Sequence, residues 1–208
     1  MRKASAQVSF DLFREDLFAC EQLLQKIYAD ASLLTLNEKR AIYEAFALNI
    51  CAIWEALVEN LLVDCLNQDS GQYSSFLNAR LPKHIPREIC SAMVTGLNYF
   101  DFKSVGHAQN IARKLLADRH NPFKAISKTD SRKIDEFFAI RNYVAHYSGQ
   151  AERALKQVYK NNYGMSKWTD PGPFLLAFNK KTNCSRLQNY IHVFKKAAQD
   201  LATALAIP

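Results

Sequence analysis

Residues 36–66 read as one long helix that is apolar on nearly every side, and a helix of that kind has to occupy the centre of its fold. Leu36-Asn-Glu-Lys marks its start, and Trp54, Leu57, Val58, Leu61 and Leu62 are expected in the core. Two polar seams run along it. Glu44 and Glu55 are eleven residues apart, which at about 100° per residue leaves them within about 20° of each other. Glu59 continues that seam, and Asn49, Asn60 and Asp64 make a second one. These polar residues break the apolar run short of membrane-spanning length. The first residues, Met-Arg-Lys-Ala-Ser, lack the apolar stretch of a signal peptide. A cytoplasmic protein without a membrane partner is therefore expected.

Around this helix the periodicity predicts others. Phe10, Phe13, Leu17, Leu24 and Ile27 place one over 8–33. Gln68-Asp-Ser-Gly-Gln is a turn, and residues 72–103 read as irregular, with a short helix from Arg87 to Leu97. Further helices are expected over 104–118, over 131–147 with Thr129-Asp-Ser as the cap, and over 152–159, with Gly149 as a possible break. Residues 161–184 read as an irregular insertion, and Ser185 to Ala206 closes the chain as a helix. Only 6 Gly and 6 Pro in 208 residues argue against a fold rich in strands and turns. The expectation is a single all-α domain over residues 1–208.

Charge is unevenly spread. Residues 1–70 hold 6 Lys and Arg against 11 Asp and Glu, while residues 71–208 hold 21 against 9, so a net −5 precedes a net +12. Such asymmetry points to a surface facing a polyanion, with nucleic acid the leading candidate, or to a solvated basic face. In the insertion, Tyr163, Lys167, Trp168, Lys180 and Lys181 are the types that stack on bases and neutralise phosphates, although such a segment also folds readily onto the body of a protein. The 5 cysteines are widely spaced without a CxxC pair and read as reduced core thiols. The 5 histidines include no i, i+4 pair, so no metal or other cofactor is expected.

Chemistry concentrates in Ile134-Asp-Glu-Phe-Phe-Ala-Ile-Arg-Asn-Tyr-Val-Ala-His-Tyr147. With Ile134 at zero, Phe137, Phe138, Val144 and Ala145 form an apolar arc, and Arg141 falls near its middle at about 340°. A guanidinium cannot shed its charge to escape burial, so an arginine there needs a carboxylate partner or a wet cleft with an anion. Asn142 and His146 lie one turn apart on the flank. Arginine, a polar amide and histidine are the groups with which a phosphodiester is cleaved without metal: histidine moves a proton near neutrality, and arginine stabilises charge on phosphate oxygens.

Arg141-Asn142 followed by His146 in an apolar frame resembles the R-x4–6-H motif of the HEPN superfamily (higher eukaryotes and prokaryotes nucleotide-binding). Ile-Arg-Asn-x-x-Ala-His is most like its RiboL-PSP-HEPN and related stand-alone branches. There the motif lies on a late helix of an α-bundle, after an early helix with an acidic residue; Trp54-Glu55-Ala-Leu-Val-Glu59 holds that early position. Two other pairs, Arg113/His120 and Arg186/His192, also satisfy the bare spacing. Only the 141–146 pair has asparagine after the arginine and sets the arginine in an apolar arc.

The resemblance implies a HEPN-like bundle and a metal-independent endoribonuclease, working as a homodimer whose two motif helices line one composite cleft, in a toxin or phage-defence setting with an antitoxin or other regulatory protein as a possible partner. His146 would assist attack of the ribose 2′-oxygen or protonate the departing 5′-oxygen. Arg141 would hold the phosphate, Asn142 would orient phosphate or imidazole, and Glu55 would fix Arg141 or His146, with Glu44 and Asp64 as alternatives. In toxins paired with a nucleotidyltransferase antitoxin the motif continues His-x-Tyr. Here Tyr147 follows His146 directly and position 148 is serine, so that mode of control does not carry over. The alternative from another class is a non-catalytic HEPN-type module that binds RNA or a nucleotide, or docks a partner.

Overall fold

Thr35 starts the central helix with a reciprocal cap: its side chain accepts from the Glu38 N–H, and the Glu38 carboxylate accepts from the Thr35 N–H. In the computed structural model, which describes residues 5–29, 34–96, 100–180 and 182–207, this helix is α2, Leu36–Gln68. The others are α1 (Ala6–Ala29), α3 (Gly71–Leu77), α4 (Arg87–Thr95), α5 (Val105–Leu115), α6 (Lys128–His146), α7 (Gly149–Tyr163), α8 (Pro171–Leu176) and α9 (Arg186–Ala204). Two 3-10 turns, Asp118–His120 and Pro122–Ala125, and one two-residue strand pair complete the described elements. The fold is all-α.

Helix α2 is central, as its composition requires: α1, α4, α6, α8 and α9 all pack on it. Trp54 is fully buried, with its ring 6.1 Å from Phe13 on α1 and 5.3 Å from Phe194 on α9, and Phe194 in turn lies 5.3 Å from Phe137 on α6. One aromatic cluster thus joins the four helices that carry most of the buried apolar area. By length and composition alone α2 could cross a membrane, its 18-residue apolar window having a mean hydropathy of 1.6, so its polar seams do not break it as expected. Yet 61% of that window is buried inside the bundle, which accounts for the apolar surface.

Several expected boundaries move. Helix α6 starts three residues earlier than expected because Ser127, not Thr129, is the cap: its hydroxyl accepts from the Asp130 N–H and donates to the Asp130 carboxylate. The break between α6 and α7 falls at Tyr147, in the left-handed region at φ 46°, and Ser148 then caps α7 by accepting from Ala151 N–H. Gly149 is simply the first residue of α7. Helix α3 occupies sequence expected to be irregular. Residues 30–33 and Leu97, expected to end helices, lie outside the described residues.

The insertion is also more ordered than its sequence implies. Helix α7 runs into it as far as Tyr163, Phe174 and Leu175 of α8 are buried, and Phe178-Asn179 pairs antiparallel with Cys184-Ser185. Gly172 makes the closest approach: a Cβ there would come within 2.8 Å of both the carbonyl oxygen and the Cβ of Arg40 on α2. We predict that Gly172→Ala costs about 1–3 kcal/mol in urea unfolding, because backbone has to shift to admit the methyl group. An unchanged midpoint would show that α8 does not depend on this contact.

Candidate functional site

Arg141 resolves its own misfit. Its Nη2 donates to both oxygens of Glu55, at 3.2 and 3.1 Å, and its Nη1 donates to Asn142 Oδ1 at 3.0 Å. The side chains remain partly open to solvent, 27% for Arg141 and 18% for Glu55. Helices α2 and α6 pack together, and the seam on α2 is what brings Glu55 beneath the motif. Burial pushes the Glu55 carboxyl above its ordinary range, and the Arg141 charge pulls it only part of the way back. Cys51, one turn away on α2, is fully buried, and burial pushes its thiol well up, so it is no nucleophile for this site.

His146 is the last residue of α6 and is exposed, as is Asn142. No hydrogen bond or ion pair joins Arg141 to His146 among the described residues. On an ideal helix an i, i+5 pair is separated by about 140° and a rise of about 7.5 Å. The structure therefore brings three of the four expected residues together, Arg141, Asn142 and Glu55, and leaves His146 beyond them on the same helix end.

The two alternatives to Glu55 have other partners. Asp64 is buried and turned towards α1 and α4, accepting from Ser9 Oγ at 2.7 Å and from Arg87 Nε at 3.1 Å. Glu44 serves the same surface by another route: it accepts from the Tyr147 hydroxyl at 3.0 Å and from the Gly172 N–H at 2.8 Å. It thereby ties the turn after His146 to the start of α8.

Around that turn the structure gathers rings that the reading of the motif leaves out. Tyr143 lies 5.4 Å from Tyr147 and 5.1 Å from Trp168. The signal for Tyr143 and Tyr147 was their i, i+4 spacing; for Trp168 no local pattern exists, since it arrives from the insertion. The other motif pairs are employed elsewhere. Arg113 bonds Asn110 on its own helix, and Arg186 stacks on Phe174 with its guanidinium carbon 4.1 Å from the ring centre. Among the described residues no group of three or more His, Cys, Asp or Glu side chains is placed to hold a metal ion. No family model matches the chain, and no curated protein or solved structure matches it either.

Proposed function

We propose that the chain is a HEPN-like, metal-independent endoribonuclease with its site at the C-terminal end of α6. The observation that carries the proposal is the state of Arg141. Glu55 grips one side of its guanidinium while the side chain stays 27% exposed, so a permanently charged, oriented donor faces solvent beside Asn142, with the exposed His146 five residues on at the same helix end. Such a donor is held ready for phosphate oxygens and needs no reorganisation to stabilise a pentacoordinate phosphorus. His146 takes the 2′-hydroxyl proton as the 2′-oxygen attacks, and the bond to the 5′-oxygen breaks as that oxygen gains a proton. The products are a 2′,3′-cyclic phosphate and a 5′-hydroxyl. A second copy of the chain supplies the opposing motif helix, because one helix does not aim both side chains at one phosphate.

One observation favours the second reading, a non-catalytic module that binds RNA or a nucleotide or docks a partner protein. Glu55 spends both oxygens on Arg141, an arrangement that also serves as a scaffold pair between α2 and α6. Labelled RNA incubated with the purified protein in excess EDTA separates the two. We predict cleavage at an unchanged rate, leaving cyclic-phosphate ends, from a protein that sediments as a dimer at micromolar concentration. Intact RNA would leave the binding module; cleavage abolished by EDTA would put the chemistry on a metal instead.

A further inference from the structure

A concentration of unpaired positive charge lies beside the candidate site, not within it. Helix α7 presents Arg153, Lys156 and Lys160 at i, i+3 and i+7, which is one helical face, and the residues after α7 bring Lys167 and Trp168 against it. Together they line a groove of about 450 Å³, with the Tyr159 ring beneath, itself buried and 6.2 Å from Trp168. Lys156 is paired with Glu152 and lies 5.3 Å over the Trp168 ring. Arg153, Lys160 and Lys167 are exposed and make no ion pair among the described residues. Four cations stand against two carboxylates, Glu152 on Lys156 and Asp170, which accepts from Trp168 Nε1 at 2.9 Å, and leave a net +2 along a single concave strip.

The strip is continuous with the turn that follows His146. The Arg153 guanidinium lies 3.5 Å from where a Cβ on Gly149 would sit, and Trp168 packs on Tyr143, which packs on Tyr147. From Arg153 to Lys160 the helix advances about 10 Å, room for a short run of phosphates. A concave strip with an aromatic wall fits a flexible single strand; a bilayer surface would need a flat face, and duplex would need a broader one. We infer that this groove between α7 and residues 165–168 is the track of a single-stranded RNA, its phosphates held by Arg153, Lys160 and Lys167 and its sugar-base side against Trp168. This rests on the reading of the chain as an RNA-handling protein, but it assigns the strand a path that the motif residues do not define.

The test is equilibrium binding of a single-stranded oligoribonucleotide across a salt series, with His146→Ala present in every protein so that the RNA stays whole. Adding Arg153→Ala, Lys160→Ala and Lys167→Ala is expected to flatten the slope of log affinity against log salt by about 2, at about 0.7 per lost single-strand phosphate contact. Between 50 and 200 mM salt that difference amounts to roughly 15–20-fold. A control that removes the same charge elsewhere, Lys26→Ala, Arg80→Ala and Lys83→Ala, is expected to keep the original slope. Equal slopes for both triple variants would overturn the groove, as would tighter binding to anionic vesicles than to RNA. If the protein with His146 restored cuts nothing while the groove variant still loses its slope, ribonuclease activity fails and the track stands. If it cuts RNA and the slope is unmoved, the track fails and the activity stands.

Discussion

Replacing Glu136 with alanine is expected to destabilise the protein by about 3–5 kcal/mol, the usual cost of removing one partner from a buried charged network. The Glu136 side chain is 1% exposed and accepts from four donors on three helices. Lys133 Nζ donates at 2.9 Å and Asn162 Nδ2 at 3.0 Å, while the hydroxyls of Tyr163 and Tyr190 also point at it. Without the carboxylate, the Tyr190 hydroxyl is left with a long contact of 3.4 Å to Tyr163, and Lys133 with the Tyr163 hydroxyl at 2.7 Å and the faces of the Tyr163 and Tyr190 rings. Glu136→Gln retains an acceptor but turns an amide N–H₂ towards groups that all donate, so its loss should fall between wild type and alanine. Urea unfolding reads both, with an unchanged m-value showing that the midpoint reports stability. A Glu136→Ala midpoint within about 1 kcal/mol of wild type would show that water replaces the carboxylate there.

Glu136 marks where reading from sequence stops. On the α6 wheel it falls at about 200° from Ile134, opposite the apolar arc, and looks solvated. It is buried because α7 and α9 close over that side, so α6 is covered on two faces while only one is apolar. Trp168 and the Glu44–Gly172 bond escape for a related reason: Trp168 reaches Tyr143 on α6, and Glu44 and Gly172 are 128 residues apart, with no local period to link either pair. What periodicity does carry is phase. The spacing of Glu44 and Glu55 on α2, with Arg141 in the middle of the α6 arc, is enough to expect a carboxylate under that arginine, and Glu55 is there. The composition of α2 likewise places it at the centre. Boundaries follow weaker signals: Ser127 and Thr129 are both good caps, and only the reciprocal bond to Asp130 favours the first.

For the site itself, Arg141→Ala and His146→Ala are each expected to reduce RNA cleavage by about 10²–10⁴-fold, the usual contribution of a positioned proton-transfer or charge-stabilising group. Their effects on the fold should differ. His146 is exposed, so its removal should change stability by less than about 0.5 kcal/mol. Arg141→Ala strips Glu55 of its one ion-pair partner among the described residues; the pair is partly solvated, so a loss of about 1–2 kcal/mol is expected rather than the full cost of a buried pair. The pH dependence gives the sign. Burial already raises the Glu55 carboxyl, and losing the opposing pull of Arg141 raises it further. A carboxyl raised in the folded state takes a proton more readily there than in the unfolded chain, so the deficit of Arg141→Ala should be largest at neutral pH and shrink as pH falls towards the glutamate range. Mixing the two inactive variants then tests where the groups meet. If Arg141 of one copy works with His146 of the other, random pairing makes half the dimers mixed, each with one complete set, and returns about a quarter of wild-type activity. Cleavage by His146→Ala at the wild-type rate would remove histidine from the mechanism. Silence from the mixture, with heterodimers present, would require each copy to unite both groups despite the 140° between them on α6.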